Sequence, residues 1–214
     1  MLGPGRRDPL CGTCWQAMDR IRPPWCRCCG IPQGIEGLCG SCRRGRPRFA
    51  YARAAARYGG VVREAIHAFK FGGRRGLAEP LGDLVAGLGL SAIPGATPDL
   101  LVPVPLHRRR ERERGYNQAL LLSRRLERAW GVPVAAGVLV RRGATAPQAD
   151  LDAPARRRNV RGAFTVTKPE VIAGRHVVLV DDVLTTGATA GECARALARA
   201  GASVVGVLTV ARTV

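Results

Sequence analysis

Val177-Val178-Leu179-Val180-Asp181-Asp182-Val183-Leu184-Thr185-Thr186-Gly187-Ala188-Thr189 is the stretch on which the fold turns. Its four leading aliphatic residues read as a strand buried on both faces. Two carboxylates follow at the strand's C-terminal end, the edge at which open parallel sheets bind their ligands. A short Thr/Gly loop comes next, and then a helix. Such a loop aims backbone N–H groups and hydroxyls at an anion, and the helix N-terminus adds positive potential. Gly187 lets the backbone approach closely. A loop for phosphate alone has no use for two acids beside it. A sugar phosphate does, because carboxylates accept hydrogen bonds from vicinal hydroxyls. The plainer alternative is a strand-turn-helix whose Asp and Thr serve only as N-caps.

Outward from this segment, helix and strand signals alternate. Helical spacing of apolar residues marks 61–71, 77–90 and 117–130, the last closed by Gly131 and Pro133. Residues 100–105 read as a strand running into a rigid turn. Residues 137–140 and 163–167 are short strand candidates, 176–180 is a buried strand, 187–200 a helix and 203–211 another strand. Strands separated by helices imply a parallel α/β sheet. Residues 11–48 differ: aliphatic residues are sparse, and cysteine, glycine, proline and arginine replace them. A stretch of that kind needs a staple. The composition shift places a boundary near residues 47–52, with a cysteine-rich module at 1–48 and an α/β domain at 49–214.

The 214 residues carry 34 basic and 16 acidic side chains, a net charge of +18. Only Lys70 and Lys168 are lysine. The other basic residues are arginine, a coding bias on solvated faces, but bias does not account for the surplus over acids. That surplus favours polyanionic partners, either nucleic acid or phosphorylated small molecules. The apolar share of 46% excludes a disordered chain. No aliphatic run approaches the roughly 20 residues of a membrane span, and the N-terminus lacks a secretory h-region. A cytoplasmic protein is expected.

Residues 99–107 lead into Arg108, Arg109, Arg110, Arg112 and Arg114, then Gly115-Tyr116-Asn117-Gln118. Arginine forks match phosphate geometry. Directly after a strand end, with Pro103 and Val104 at the turn, this run fits a pyrophosphate or a nucleic-acid backbone. The alternative is a solvated basic run paired with Glu111 and Glu113. A second basic stretch surrounds Asn159, with Arg156, Arg157, Arg158 and Arg161. It reads as a mobile lid supplying Arg157 or Asn159 to a transition state, as part of a nucleic-acid groove, or as an arginine-rich loop.

Cys11/Cys14, Cys26/Cys29 and Cys39/Cys42 form three CxxC pairs. Zinc takes four thiolates in a tetrahedron, and this pattern in a cytosolic setting favours zinc over disulfides. The nearer pairs, Cys26, Cys29, Cys39 and Cys42, are expected to hold a structural zinc, with Gly30 making the knuckle turn. Cys11 and Cys14 are candidates for an additional site, and Cys28 is not expected to be a ligand. Trp15 and Trp25 are expected either to form the module's small core or to stack on bases. His67 is expected to pack on an apolar helix face, and Cys193 in the core.

The segment 177–189 resembles the signature of the type I phosphoribosyltransferases for phosphoribosyl pyrophosphate (PRPP). The resemblance implies that Asp181 and Asp182 hold the ribose hydroxyls. It also implies that Thr185, Thr186, Gly187, Ala188 and Thr189 wrap the 5-phosphate, with Val180, Val183 and Leu184 among the PRPP-binding residues. Magnesium would accompany the pyrophosphate. Residues 102–119 narrow the resemblance to the ComF (GntX) family, as do Tyr58-Gly59-Gly60, Ile66-His67, Phe69-Lys70-Phe71 and the pattern from Gln148 and Leu151 to Phe164. That family joins a zinc module to a phosphoribosyltransferase-like domain. It implies a link to DNA uptake, with single-stranded DNA and a helicase as partners. The family usually begins with one more CxxC pair, so either the chain's start lies upstream or Cys11 and Cys14 are vestigial. Three functions follow as expectations: phosphoribosyl transfer to an unknown acceptor, a non-catalytic single-stranded-DNA-binding accessory role on a PRPP-binding scaffold, or purine salvage. The last would need a base-specific hood that the sequence does not reveal.

Overall fold

The computed structural model describes residues 10–142 and 160–214. A four-stranded parallel sheet runs in the order β1 (Tyr51–Arg57), β6 (Val204–Arg212), β5 (His176–Leu184), β2 (Leu100–Pro103). Helices α3 (Gly60–Phe71), α4 (Ala78–Ala86) and α6 (Gln118–Trp130) cover one face, and α7 (Ala188–Arg199) covers the other. The alternation of β-strand side chains explains how one apolar run serves both layers. Val178 and Val180 pack among Ile66, Phe69, Leu81 and Leu122, whereas Val177 and Leu179 pack among Cys193, Ala194 and Leu197. On α3 the buried residues Val62, Ala65, Ile66 and Phe69 follow helical spacing. Cys193 is buried as expected. His67 is not: it is exposed on α3, its ring 4.9 Å from that of Phe71. Its position falls outside the stripe that Ile66 and Phe69 bury.

Several boundaries shift. The central strand extends four residues past Val180, because β6 continues to pair with it through Leu184. The helix expected at 77–90 ends at Ala86. The strand at 100–105 ends at Pro103, although the Val104 N–H still donates to the Val180 carbonyl at 3.0 Å. β3 (Leu139–Arg141) and β4 (Phe164–Val166) form a separate antiparallel pair packed on the α7 side. Two elements of the α/β domain have no counterpart in the sequence reading, β1 and the short helix α5 (Arg108–Arg114).

The N-terminal residues, with short helices α1 (Gly12–Gln16) and α2 (Gly40–Arg44), lie against the β1 edge. The Ile21 N–H donates to the Ala55 carbonyl, and the Arg57 N–H to that of Asp19. An otherwise unpaired sheet edge is thereby covered. Leu10 and Met18 enter the main core, with Trp15 packed against it. Trp15 therefore does not form the core of the cysteine-rich module. Trp25 is not in that core either: it lies under the Arg53 guanidinium, 5.2 Å from its ring centre. The module's buried centre consists of Cys26, Cys28 and Cys42, with Cys29, Ile31, Leu38 and Cys39 against them.

Candidate functional site

A pocket of about 840 Å³ opens at the C-terminal edge of β5. Asp181 and Asp182 close the strand, and residues 185–187 turn into α7. Gly187 is the N-cap of α7 with φ +74°, a left-handed conformation that a Cβ would strain. The Thr186 hydroxyl accepts from the Ala188 N–H at 3.4 Å.

The two acids differ. Asp182 is buried and ion-paired with Lys70 Nζ at 2.6 Å. Burial opposes charge on Lys70, but the Asp182 carboxylate beside it outweighs that cost and raises the lysine's pKa. Asp181 is half-buried, and its Oδ1 accepts the Asp182 N–H at 2.9 Å. Desolvation, with the Asp182 charge next to it, pushes the Asp181 carboxyl up to about 7. The pocket thus holds one ion-paired carboxylate and one poised near neutrality.

The RGYNQ stretch builds the opposite wall, each residue with a separate task. Gly115 ends α5 in the left-handed region, φ +78°. The Tyr116 hydroxyl donates to the Phe69 carbonyl, which ties the turn to α3, and the Arg75 guanidinium lies over its ring. Asn117 caps α6: its Oδ1 accepts from the Ala119 N–H at 2.9 Å and its Nδ2 donates to the Val104 carbonyl at 3.1 Å. Gln118 is 1% exposed, lines the pocket, and its Nε2 has no acceptor among the described residues. A buried amide without a partner is costly, so a ligand acceptor there would relieve it.

The structure therefore sorts the expected residues. Val104, Arg114, Asn117 and Gln118 line the pocket together with Asp181, Asp182, Val183, Leu184, Thr185, Thr186, Gly187, Ala188 and Thr189. Pro103 and Val180 are buried in their strands and do not line it. Arg108, Arg109 and Arg112 do not line it either, because the run is helical. One helix turn brings Arg110, Glu113 and Arg114 to the pocket wall, and Arg109 pairs with Glu113 at 2.7 Å. Asn117 has both ends of its amide committed to the fold and acts as a positioning residue. Arg157 and Asn159, with Gln148 and the rest of 143–159, lie outside the described residues.

Sequence reasoning missed Lys70 and Arg141 as pocket residues, and placed Arg110 only as one of the run of five arginines. Lys70 carried a usable signal, being one of two lysines in an otherwise arginine-biased chain. Arg141 acts electrostatically on Asp181 from β3, and no local pattern marks it.

The Sγ atoms of Cys26, Cys29, Cys39 and Cys42 lie within 4.8 Å of one another, and Cys29 and Cys39 are 3.7 Å apart. Tetrahedral zinc with Zn–S of about 2.3 Å places its sulfurs about 3.8 Å apart, so the four fit such an ion. Burial opposes a thiolate at Cys26, but N–H groups of Cys39, Cys29 and Cys28 prevail and lower it to about 6. Among the described residues this is the one cluster of three or more metal-binding side chains, and it excludes Cys11 and Cys14. Those two sit at the start of α1, with Cys14 against the main core. Cys28 is not one of the four; its Sγ lies 4.0 Å from the Phe49 carbonyl oxygen. Gly30 (φ +69°) abuts β1, where a Cβ would run into the Ala52 carbonyl. Arg53 and Arg212, both buried, extend from the sheet to the carbonyls of Arg27 and Cys29.

Sheet, diacid and loop together define a phosphoribosyltransferase-type α/β domain. The phosphoribosyl transferase domain family matches residues 118–213. A glutamine PRPP amidotransferase from Bacillus subtilis is a structural neighbour with a TM-score of 0.41 and 21% identity, covering 62% of this chain and 26% of that one. Over nearly the whole chain the likeness is more specific. The DNA utilization protein YhgH of Salmonella typhi is 36% identical over 208 residues, 95% of this chain and 90% of that protein. The competence protein ComFC of Bacillus subtilis is 30% identical over 203 residues, 91% of this chain and 80% of that protein. The chain belongs to the ComF family of competence and DNA utilization proteins. No helix among the described residues is long and apolar enough to cross a membrane.

Proposed function

We propose that this protein binds PRPP in the pocket at the end of β5 and transfers its phosphoribosyl group to an acceptor, in the service of DNA uptake in the cytoplasm. One observation carries the reading: a single pocket of about 840 Å³ is lined by the diacid, a Thr/Gly loop at a helix N-terminus, and the cations Lys70, Arg110, Arg114 and Arg141. Asp181 and Asp182 accept the ribose hydroxyls, and residues 185–189 take the 5-phosphate on N–H groups and hydroxyls. Gln118 Nε2 and Arg114 face the pyrophosphate. In the transfer, the C1–O bond to pyrophosphate breaks, the pyrophosphate leaves with the electron pair, and an acceptor nucleophile bonds to C1. The fixed charges act by positioning and by stabilising charge as it develops. Magnesium, when bound, neutralises pyrophosphate oxygens, and the two aspartates are the hard oxygen donors that suit it. Zinc on Cys26, Cys29, Cys39 and Cys42 is structural: four thiolates leave no open position for chemistry.

The test is calorimetric titration of magnesium-PRPP into the wild-type protein and into the Asp181→Asn/Asp182→Asn double variant. Binding by wild type that the double variant abolishes is the expected result. No binding by folded, zinc-loaded wild type would overturn the reading. The second reading, a non-catalytic accessory that binds single-stranded DNA beside a helicase, would then take its place. The +18 net charge favours it, as do the names of the relatives.

A further inference from the structure

The cysteine knuckle at residues 26–30 is engaged twice. Its Cys26 and Cys29 thiols join those of Cys39 and Cys42. Its carbonyls are taken by the sheet, three in succession. The Arg27 carbonyl accepts from Arg53 Nη1 at 3.3 Å, that of Cys28 from the Ala52 N–H at 2.7 Å, and that of Cys29 from Arg212 Nη1.

Arg53 and Arg212 are the two buried arginines among the described residues, and neither forms a salt bridge with an acid there. Water screens an exposed guanidinium, but a buried one needs a counter-charge. The cysteines supply it. Arg212 acts electrostatically on Cys29, and Cys26, Cys28 and Cys29 act on Arg53. Zinc(II) on four thiolates is a dianion, the charge that two buried guanidiniums match.

The backbone of Arg212 belongs to the other site. It pairs in register with Leu184 where β6 and β5 end, and its carbonyl accepts the Tyr58 N–H at 2.8 Å. The next residue, Thr213, donates its N–H to the Leu184 carbonyl at 3.1 Å. Leu184 and Tyr58 both line the phosphoribosyl pocket, and Leu184 is the last residue before the Thr/Gly turn. Phe49 adds a second path between the sites. Its carbonyl oxygen contacts Cys28 Sγ, and its buried ring supports the turn: a Cβ on Gly187 would stand 3.6 Å from Phe49 Cε1.

We propose that Arg212 is a positioning residue that couples the four-cysteine metal site to the phosphoribosyl pocket, so that metal occupancy sets the pocket's affinity for its ligand. The proposal rests on the phosphoribosyl reading of the pocket and gives the structural metal a second role. Loss of the metal removes the counter-charge of Arg212. The guanidinium then leaves the knuckle for water, and the strand ends that its backbone joins loosen. The turn at 185–187 binds phosphate well only while its donors are held in place beforehand. Linkage is reciprocal, so ligand in the pocket tightens the metal by the same factor.

The experiment measures both affinities in the full chain. Magnesium-PRPP is titrated calorimetrically into zinc-loaded and zinc-stripped protein. Zinc affinity is read by competition with a chromophoric chelator, with and without magnesium-PRPP. The proteins are wild type, Arg212→Met, Arg212→Lys and a control, Arg124→Gln, on the exposed side of α6. In wild type, removing zinc should weaken magnesium-PRPP about tenfold, and magnesium-PRPP should tighten zinc about tenfold. Zinc-loaded Arg212→Met should bind magnesium-PRPP about tenfold more weakly, and its zinc affinity should no longer respond to the ligand. A residue needed only for folding would lower both affinities and leave their mutual effect intact. Arg212→Lys keeps the charge without the fork and should restore part of the coupling, and the control should match wild type. If the stripped chain unfolds by circular dichroism, the comparison among zinc-loaded proteins decides. If Arg212→Met does not fold, Arg212→Gln replaces it, keeping a donor for the Cys29 carbonyl but not the charge. Equal magnesium-PRPP affinity in folded stripped and loaded wild type would overturn the proposal and leave the pocket reading standing. So would a neutral Arg212 variant with wild-type coupling. Zinc-loaded wild type that binds no magnesium-PRPP would overturn both.

Discussion

Replacing Asp181 by Asn should stabilise the ligand-free protein at neutral pH while it abolishes PRPP binding. In the folded chain, desolvation and the neighbouring Asp182 raise the Asp181 carboxyl to about 7, from an ordinary value of 3.8. Between those values the folded state holds a proton that the unfolded state has released. Stability therefore falls as pH rises through the window, by up to about 1.4 kcal/mol per pH unit. Over about three units the ceiling is roughly 4 kcal/mol, and coupling to Asp182 and Lys70 reduces it to the order of 2 kcal/mol. Asn carries no charge to desolvate, and its Oδ1 can still accept the Asp182 N–H. Urea denaturation of both proteins at pH 5 and pH 8 reads the effect. The window from pH 5 to about 7 is two of those three units, so the difference in unfolding free energy should move by about 1.3 kcal/mol in favour of the variant between the two pH values. A difference that stays constant, or that moves toward wild type, would refute the assignment of a raised carboxyl to Asp181.

Lys70→Met should raise the Asp181 carboxyl further, because the lysine's charge lowers it. Leaving Asp182 buried without its partner should cost about 2–4 kcal/mol of stability at pH 7, and thermal melts at pH 5 and 7 check this. Gly30→Ala forces a side chain into φ +69° and against the Ala52 carbonyl. The expected loss is about 3 kcal/mol, measured by denaturant unfolding, with values within 0.5 kcal/mol of wild type counting against the close packing. Removing zinc with a chelator, or replacing Cys39 by Ser, should loosen the cysteine-rich module first. Hydrogen exchange should then rise in residues 26–42 well before it rises in β5 and β6.

What could be read locally was read from the chain alone. The strand, diacid, Thr/Gly loop and helix at 177–189 are contiguous, and each residue's role follows from its neighbours. The helical spacing of α3 and α6 and the CxxC pairs are equally local, so the parallel α/β class and the four-cysteine set were legible. β1 was not. Tyr51-Ala52-Arg53-Ala54-Ala55-Ala56-Arg57 is alanine-rich, and alanine is a poor strand former. Pairing with β6 on one side and cover from residues 19–21 on the other settle it as a strand. In α5, dense charge hid the i,i+4 pairing of Arg109 with Glu113 that marks it as helical.

Tertiary structure alone decided which arginines share a site. It brought Arg110 and Arg114 to the pocket wall, added Lys70 and Arg141 from distant elements, and buried Arg53 and Arg212 under the cysteine-rich module. The reason is physical. Hydrogen-bond period and apolar spacing act between residues a few positions apart, so the sequence displays them. Charge and burial depend on distance in space, and for residues far apart in the chain that distance exists only once the sheet has closed.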